Sequence, residues 1–263
     1  MHPVLFTLPG GFTFHTYGFV LAAAFILGLE LTTRRAKKEG LPWEKIFSAG
    51  LVTLVGALLG AKLFYIFSEP GGLKELTDLS ALARGGLVWY GGVIGGTAAY
   101  FLAAGLYHLP AVRLLDVAAP YVALGYGIHR LAGCFSAGCC YGKPTDAAWG
   151  VVFPPGSPAS RVFGEGVAVH PTQVYLAAVG FLMFFALIWM RGRKRQDGEV
   201  AWLFFVLYAL ARPVVEVFRA GSHRADGAGW ATAPPQMTSW VILGICFLLL
   251  FRSDRLRRNA PDG

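Results

Sequence analysis

The sequence predicts an all-α integral membrane protein with seven transmembrane helices, its N-terminus outside and its C-terminus cytoplasmic. Three observations predict it. The 263-residue chain is 55% hydrophobic and only 14% charged, where soluble domains carry about 25% charged residues. Its apolar residues form runs long enough to cross a bilayer. Its basic residues cluster on every second connection between those runs. The whole of 1–263 reads as a single polytopic membrane domain. Long apolar runs, rather than polar low complexity, take the place of the missing charge, which excludes a disordered chain. The net charge of +8 forms no basic stripe and enters no groove-reading motif, so nucleic acid is excluded as a partner.

The runs are approximately 16–33, 46–67, 87–107, 111–130, 172–190, 200–218 and 236–251. The fourth is the least hydrophobic and carries Asp116 and Pro120. The opening stretch, MHPVLFTLPGGF, lacks a basic region followed by an apolar core and a small-residue cleavage site. Insertion is therefore expected to use the first run itself.

Orientation comes from lysine and arginine. Arg34, Arg35, Lys37, Lys38 and Lys45 follow the first run, Arg113 the third, Arg191, Arg193, Lys194 and Arg195 the fifth, and Arg252, Arg255, Arg257 and Arg258 the seventh. Fourteen of the 23 basic residues thus share one side, which the positive-inside rule makes the cytoplasm. The longest connection, 131–171, then lies on the outer face, as does 68–86. With Trp149, Phe153 and Phe163, 131–171 is expected to pack at the outer interface; connections of this length are commonly functional.

Glycines recur at helix-packing spacing: Gly56 with Gly60, Gly91 with Gly95, and Gly92 with Gly96. Small residues four apart let helices approach closely in lipid. Gly91 and Gly92 also follow Trp89-Tyr90 at the outer end of the third run, where they have room to admit a headgroup.

Ionisable residues inside a span are costly and point to function. The sixth run ends YALARPVVEVFRAG. Arg212, Glu216 and Arg219 stand at i, i+4 and i+7 and so share one helix face. One reading is a self-neutralising trio at a helix end. The other is an anion site, since guanidinium matches phosphate geometry and Glu216 holds an arginine in place. Pro213 removes a backbone donor beside Arg212. Arg130, preceded by His129, ends the fourth run, and Lys62 lies near the outer end of the second, where snorkelling is its simpler reading. Lys62, Arg130, Arg212 and Arg219 are together expected near the outer leaflet, where an anionic lipid headgroup is their ligand. HPTQVY (170–175) opens the fifth run. Thr172 is placed to cap it, with His170 and Gln173 facing the same region.

The stretch GCFSAGCCYGKPTD (133–146) holds three of the four cysteines, Cys134, Cys139 and Cys140. Their C-x4-C-C spacing lacks the paired C-x2-C knuckles of structural zinc sites, and adjacent cysteines are poorly placed to chelate together. No metal site is expected. A redox enzyme would carry C-x-x-C, which is absent. A disulfide facing an oxidising compartment and free thiols packed as small apolar groups both stay open.

The motifs form a recognisable series: TYG in the first run, then GGLVWYGGVIGG, HRLAGCFSAGCCYGKPTDAAWGVVFP, HPTQVY, RPVVEVFR, and PPQMTS at the start of the seventh run. In order and spacing this series resembles the prolipoprotein diacylglyceryl transferase family of the bacterial plasma membrane, from Tyr17 to about Ser239. The resemblance implies seven spans with the N-terminus outside and a multi-pass protein whose active site faces outward. It implies a transferase of lipoprotein biosynthesis that modifies a protein, moving diacylglyceryl from phosphatidylglycerol to the lipobox cysteine thiol of a preprolipoprotein. Glycerol phosphate leaves, and no metal or organic cofactor is implied.

By this resemblance, Tyr17 matches a family tyrosine, Arg130 the signature arginine, Gly138 and Gly142 the signature glycines, Arg212 with Glu216 the arginine–glutamate pair, and Gln236 a glutamine opening the seventh run. Lys62 stands where many members have arginine. Three departures stand out. The usual His-Gly-Gly is Tyr90-Gly91-Gly92. The usual asparagine and glutamate of the signature are Cys134 and Cys139. One extra residue separates Arg130 from Gly133-Cys134-Phe135. The expected catalytic set is Arg130, Arg212 and Glu216, with Tyr90, His129 or His170 as proton acceptor, a histidine being preferred. Tyr17, Lys62, Gly91, Gly92, Cys134, Gly138, Cys139, Gly142, Gln173, Arg219 and Gln236 are expected to line the substrate site. Two alternatives stay open: a divergent member moving a lipid group to another acceptor, and a non-catalytic lipid-binding membrane protein.

Overall fold

Residues 4–7, 13–68, 89–220 and 241 are described by the computed structural model of the chain. The expected seventh run apart from residue 241, the 68–86 connection beyond residue 68, and Gln236 lie outside them. The first six apolar runs are helices. A short antiparallel pair, β1 (Val4–Thr7) and β2 (Thr13–His15), leads into α1 (Thr16–Lys38). Next come α2 (Trp43–Ser68), α3 (Trp89–Leu106) and α4 (Ala111–Ala137). The outer connection holds β3 (Val151–Val152), α5 (Pro158–Phe163) and β4 (Ala168–Val169). The last described helices are α6 (Thr172–Arg191) and α7 (Glu199–Phe218).

Among the described residues, α1, α2, α4, α6 and α7 are long and apolar enough to cross a membrane, and α3 is a shorter apolar helix. Of the five, α4 is the least hydrophobic, in keeping with Asp116 and Pro120. The chain is thus mostly helical and of the membrane class. Two compact units form within it, one from Leu29–Val117 and the other from Met1–Gly28 with Ala118–Gly263.

In the 29–117 unit, glycine sets how closely α2 and α3 approach. A Cβ on Gly91 would stand 2.3 Å from Gly60 O, and one on Gly95 would stand 2.4 Å from Gly56 O. No larger residue fits those places without moving backbone, which is the small-residue packing that lipid-embedded helices use. Ala36, Ile46, Ala49, Ala103, Leu114 and Val117 form the core. Helix α1 ends on three basic residues and a left-handed Gly40, favourable both for the helix dipole and for its C-terminal cap. Just beyond it, Glu39 pairs with Arg35 at 2.8 Å, and Arg113 Nη2 donates to Glu39 O at 3.3 Å. The connection after α1 therefore meets the first turn of α4.

In the other unit, α4 and α6 touch where Gly127 faces Gly180: a Cβ on Gly180 would lie 2.7 Å from Gly127 N. Ala119, Ala123, Met183, Leu187 and Val200 are buried beside this crossing. The outer connection has a small core of its own, Phe153, Ala159 and Val169, flanked by Phe135, Tyr141 and Phe163. Of its expected interface aromatics, Phe153 is buried, while Trp149 is 64% exposed and donates Nε1–H to Tyr175 Oη at 2.8 Å. Ser157 caps α5 by accepting from Ser160 N, with Pro158 in the first turn, where its missing N–H costs nothing.

One boundary differs from expectation. The fourth helix does not stop at residue 130. It continues through a π-helical turn, His129–Cys134, and a final α turn, Phe135–Ala137. Gly138, at φ 65° with its N–H on Phe135 O, ends it. A turn closed i→i+5 holds one residue more than one closed i→i+4. The extra residue between Arg130 and Gly133 sits inside this turn.

Candidate active site

The π turn re-aims the end of α4. Arg130 lies with its guanidinium 5.0 Å from the centre of the Tyr126 ring, a cation–π contact one turn earlier on the helix. Its Nη1 donates to Cys134 Sγ at 3.7 Å and to Cys140 Sγ at 3.6 Å. His129 Nε2 lies 3.7 Å from Cys134 Sγ, and the His129 ring meets Tyr17 edge-on, with centroids 4.6 Å apart.

Arg219, the residue that ends α7, donates from Nη2 to Cys140 Sγ at 3.6 Å. Its Nη1 is 3.6 Å from Glu216 Oε2, the same oxygen that pairs with Arg212 Nη1. Arg212 and Glu216 are both buried. A continuous polar chain therefore runs Arg212–Glu216–Arg219–Cys140–Arg130. It holds three guanidiniums against one carboxylate and one sulfur.

The backbone that carries Cys140 is fixed with care. Cys140 adopts φ 61°, a left-handed conformation that costs a non-glycine residue about 1–2 kcal/mol. Thr172 Oγ1 donates to Cys140 O, and Gln173 Nε2 donates to Cys139 O at 2.7 Å. The cap of α6 falls instead on Pro171, so Thr172 braces the cysteine segment rather than its own helix. Beyond it, Gly142 N donates to His170 O and Lys143 N to Phe218 O. A Cβ on Gly142 would stand 2.5 Å from His170 O and 2.7 Å from Phe218 O. Only glycine lets the segment thread between the start of α6 and the end of α7.

Cys134, Cys139 and Cys140 are free thiols. Hydrogen bonds from the Cys134 and Cys139 thiols, joined by the Arg219 and Arg130 guanidiniums, outweigh burial and hold the Cys140 thiol far below the ordinary thiol range. Cys139 moves the other way: its bonds to Cys134 and Cys140, then burial, push its thiol up. Cys140 is the natural thiolate of the cluster.

Several buried polar atoms in this region have no hydrogen-bond partner in the protein: Tyr126 Oη, His129 Nδ1, Arg130 Nε, Arg219 Nε and Gln173 Oε1. Native interiors leave few such atoms. Five near one guanidinium–thiol chain supply both donors and acceptors for a polar ligand.

The structure joins Tyr17, His129, Arg130, Cys134, Cys139, Gln173, Arg212, Glu216 and Arg219 in one connected set. Gly138 and Gly142 shape the backbone around it. His170 is held apart from that set: its Nδ1 is 3.1 Å from Tyr175 Oη, and its ring packs on Phe218 at 5.1 Å. Lys62, Tyr90, Gly91 and Gly92 belong to the 29–117 unit, where Lys62 Nζ lies 4.8 Å from the Tyr65 ring centre. Gly91 is engaged in packing against Gly60. Tyr126 was not among the expected residues; its spacing of i, i+4 from Arg130 on a helix face was the available signal.

The model of the family described as prolipoprotein diacylglyceryl transferase matches residues 3–252. The chain belongs to the prolipoprotein diacylglyceryl transferase family. It is similar to the phosphatidylglycerol–prolipoprotein diacylglyceryl transferase of Clostridium tetani, with 33% identity over 98% of this chain and 100% of that one. The protein of the same name from Geobacter sulfurreducens is 34% identical over 82% of each chain. That from Vibrio cholerae is 30% identical over 94% of this chain and 90% of its own. The diacylglyceryl transferase match therefore spans both compact units, including 29–117, where Lys62 and Tyr90 lie.

Proposed function

We propose that this protein transfers diacylglyceryl from phosphatidylglycerol to the lipobox cysteine thiol of a preprolipoprotein. The Arg212–Glu216–Arg219–Cys140–Arg130 chain, found in a member of this family, carries the proposal. The membrane is the bacterial plasma membrane, crossed seven times with the N-terminus outside and the site toward the outer face. The meeting of Glu39 with Arg113 supports this orientation, because it brings the basic stretch after α1 to the start of α4.

Phosphatidylglycerol offers one phosphodiester anion. Arg130 and Arg212 hold it, with Arg219 beside them and Glu216 orienting Arg212. The acceptor sulfur attacks the glyceryl carbon that bears the phosphate ester. A C–S bond forms and the C–O bond breaks, and its electron pair leaves on glycerol phosphate. Negative charge grows on the departing phosphate, where fixed guanidiniums stabilise it most in a site shielded from water. The acceptor thiol, with an ordinary pKa of about 8.5, gives up its proton first. His129 is the base this geometry favours, because it sits beside Arg130 with Nδ1 unpaired. The headgroup hydroxyls of phosphatidylglycerol suit the unpaired Gln173 Oε1.

The test uses purified protein in detergent with phosphatidylglycerol and a lipobox peptide. Mass spectrometry follows the thioether-linked diacylglyceryl peptide. Product from the wild type and none from Arg212→Ala is the expected result. Full activity of Arg212→Ala, or no product from a wild type that binds phosphatidylglycerol, would overturn the assignment.

A further inference from the structure

The three thiols that the sequence left open converge. Their sulfur atoms all lie within 4.8 Å of one another. Thiolates sharing one ion at the zinc–sulfur distance of about 2.3 Å stand about 3.8–4.0 Å apart, so small side-chain rotations close the cluster on such an ion. The objection from sequence is that adjacent cysteines are poorly placed to chelate together. The left-handed backbone at Cys140 removes it, because it turns the Cys140 sulfur back toward those of Cys134 and Cys139. Strain of this kind persists where the surroundings enforce it, and it gathers at ligand clamps. Here Thr172 and Gln173 hold the two carbonyls of the Cys139-Cys140 segment.

His129 stands next to Cys134, at the edge of the three-sulfur group. His129 Nε2 is 3.7 Å from Cys134 Sγ, and an imidazole nitrogen and a thiolate on one tetrahedral ion are about 3.6 Å apart. We propose that Cys134, Cys139, Cys140 and His129 form a binding site for one thiolate-preferring metal ion of the zinc class.

The charges fit. Three thiolates around a dication leave one negative charge, and Arg130 and Arg219 already direct N–H groups at the sulfurs. Such outer-shell donors orient the ligands and offset their charge. Sulfur donors select zinc, cadmium or cuprous ions over magnesium or calcium. Binding releases the thiol protons to solvent. An ion bound through His129 Nε2 fixes the ring proton on Nδ1, so that nitrogen no longer offers a lone pair to the acceptor thiol's proton. On the transfer reading given above, the loaded protein is therefore slowed in transfer; the binding itself does not depend on that reading.

The experiment uses full-length protein, reduced and metal-free in detergent under anaerobic conditions, with its free thiols counted first. Cobalt(II) is the probe. The expected result is one cobalt per chain with sulfur-to-cobalt charge-transfer absorption, displaced by zinc(II). Cys246→Ser, at the fourth cysteine of the sequence, keeps that spectrum. Cys139→Ser and Cys140→Ser lose it, with affinity down at least about tenfold. Should a cysteine variant fail to fold, His129→Ala provides the second comparison, with a changed cobalt spectrum expected. A wild type with its thiols free that shows no thiolate–cobalt bands overturns the proposal. So does unchanged cobalt binding in the Cys139→Ser/Cys140→Ser double variant. Both results concern metal alone and leave the transferase assignment standing or falling by its own assay.

Discussion

Arg130 and Arg219 both direct an N–H at the sulfur of Cys140, each at 3.6 Å. They reach it from different helices, one from the π turn at the end of α4 and the other from the cap residue just past α7. A single sulfur is thus the electrostatic link between two elements far apart in sequence. It also tells what an anion would meet there: two guanidiniums already oriented toward one point, with Glu216 setting the angle of the second.

That arrangement makes Cys140 the reactive thiol. A depressed thiol is ionised at neutral pH, so its alkylation rate stays nearly level as pH rises. In metal-free protein, Cys140 is expected to react with iodoacetamide at a similar rate from about pH 6 to about pH 9, a range that brackets the free thiol value near 8.5. Cys139, shifted upward, reacts only toward the alkaline end. Peptide mapping after timed alkylation separates the two. The stability effect has the sign of a lowered pKa. Cys140 contributes fully above the pKa of the unfolded thiol, and the contribution is lost as pH falls toward its folded value. A Cys140 rate that climbs with pH like a free thiol contradicts this picture.

Glu216 is the hinge of the arginine trio. It accepts from Arg212 and lies 3.6 Å from Arg219. Glu216→Ala leaves a buried guanidinium without its counter-charge, which costs about 3–5 kcal/mol. Arg219→Ala removes only a partly exposed partner and is expected to cost less. Thermal unfolding in one detergent, followed by intrinsic fluorescence, ranks the two. A Glu216→Ala melting point equal to that of the wild type contradicts the pairing.

Much of this was legible in the residues, and the unread parts share one cause. The i, i+4, i+7 spacing of Arg212, Glu216 and Arg219 sets their common face, because a helix of 3.6 residues per turn leaves no choice. The packing role of the small residues four apart in α2 and α3 was legible for the same reason, and Gly56, Gly60, Gly91 and Gly95 show it. The π turn at His129–Cys134 did not. Its composition resembles any α-helical end, and the extra residue hinted at a change without saying whether it would form a loop or a wider turn. The direction of the Cys140 sulfur depends on one backbone angle, and side-chain chemistry alone pointed away from convergence. Tyr126 escaped because an aromatic in an apolar run looks like packing until a guanidinium is found over its ring.

Gly142 tests whether the outer connection is fixed by close backbone contact. Its missing side chain leaves room for His170 O and Phe218 O, at 2.5 and 2.7 Å from where a Cβ would stand. Both are backbone atoms, so the clash is not relieved by rotating a side chain. Gly142→Ala is expected to destabilise by about 1–3 kcal/mol and to lower transfer through displacement of the Cys139-Cys140 segment. Gly18→Ala is the control, since nothing lies within 4 Å of its Cβ position, and it should match the wild type in both assays. Equal behaviour of the two variants would show that the clasp does not constrain the site.

The two histidines make opposite predictions about the proton. His129 sits beside Arg130 and Cys134 with Nδ1 free of protein partners. His170 is engaged with Tyr175 and Phe218, where its work is to hold the start of α6. A positioned general base contributes about 10²–10⁴-fold. His129→Ala is therefore expected to cut kcat by that order while leaving phosphatidylglycerol binding nearly intact. Raising the pH restores part of the rate, because the acceptor thiol then ionises without help. His170→Phe keeps the ring packing and should retain most of the activity at neutral pH, with any loss appearing in thermal stability. The pH–rate profile is the deciding measurement: a structural role for His129 predicts a uniform loss at every pH, whereas a base predicts a deficit that shrinks as pH approaches the thiol pKa.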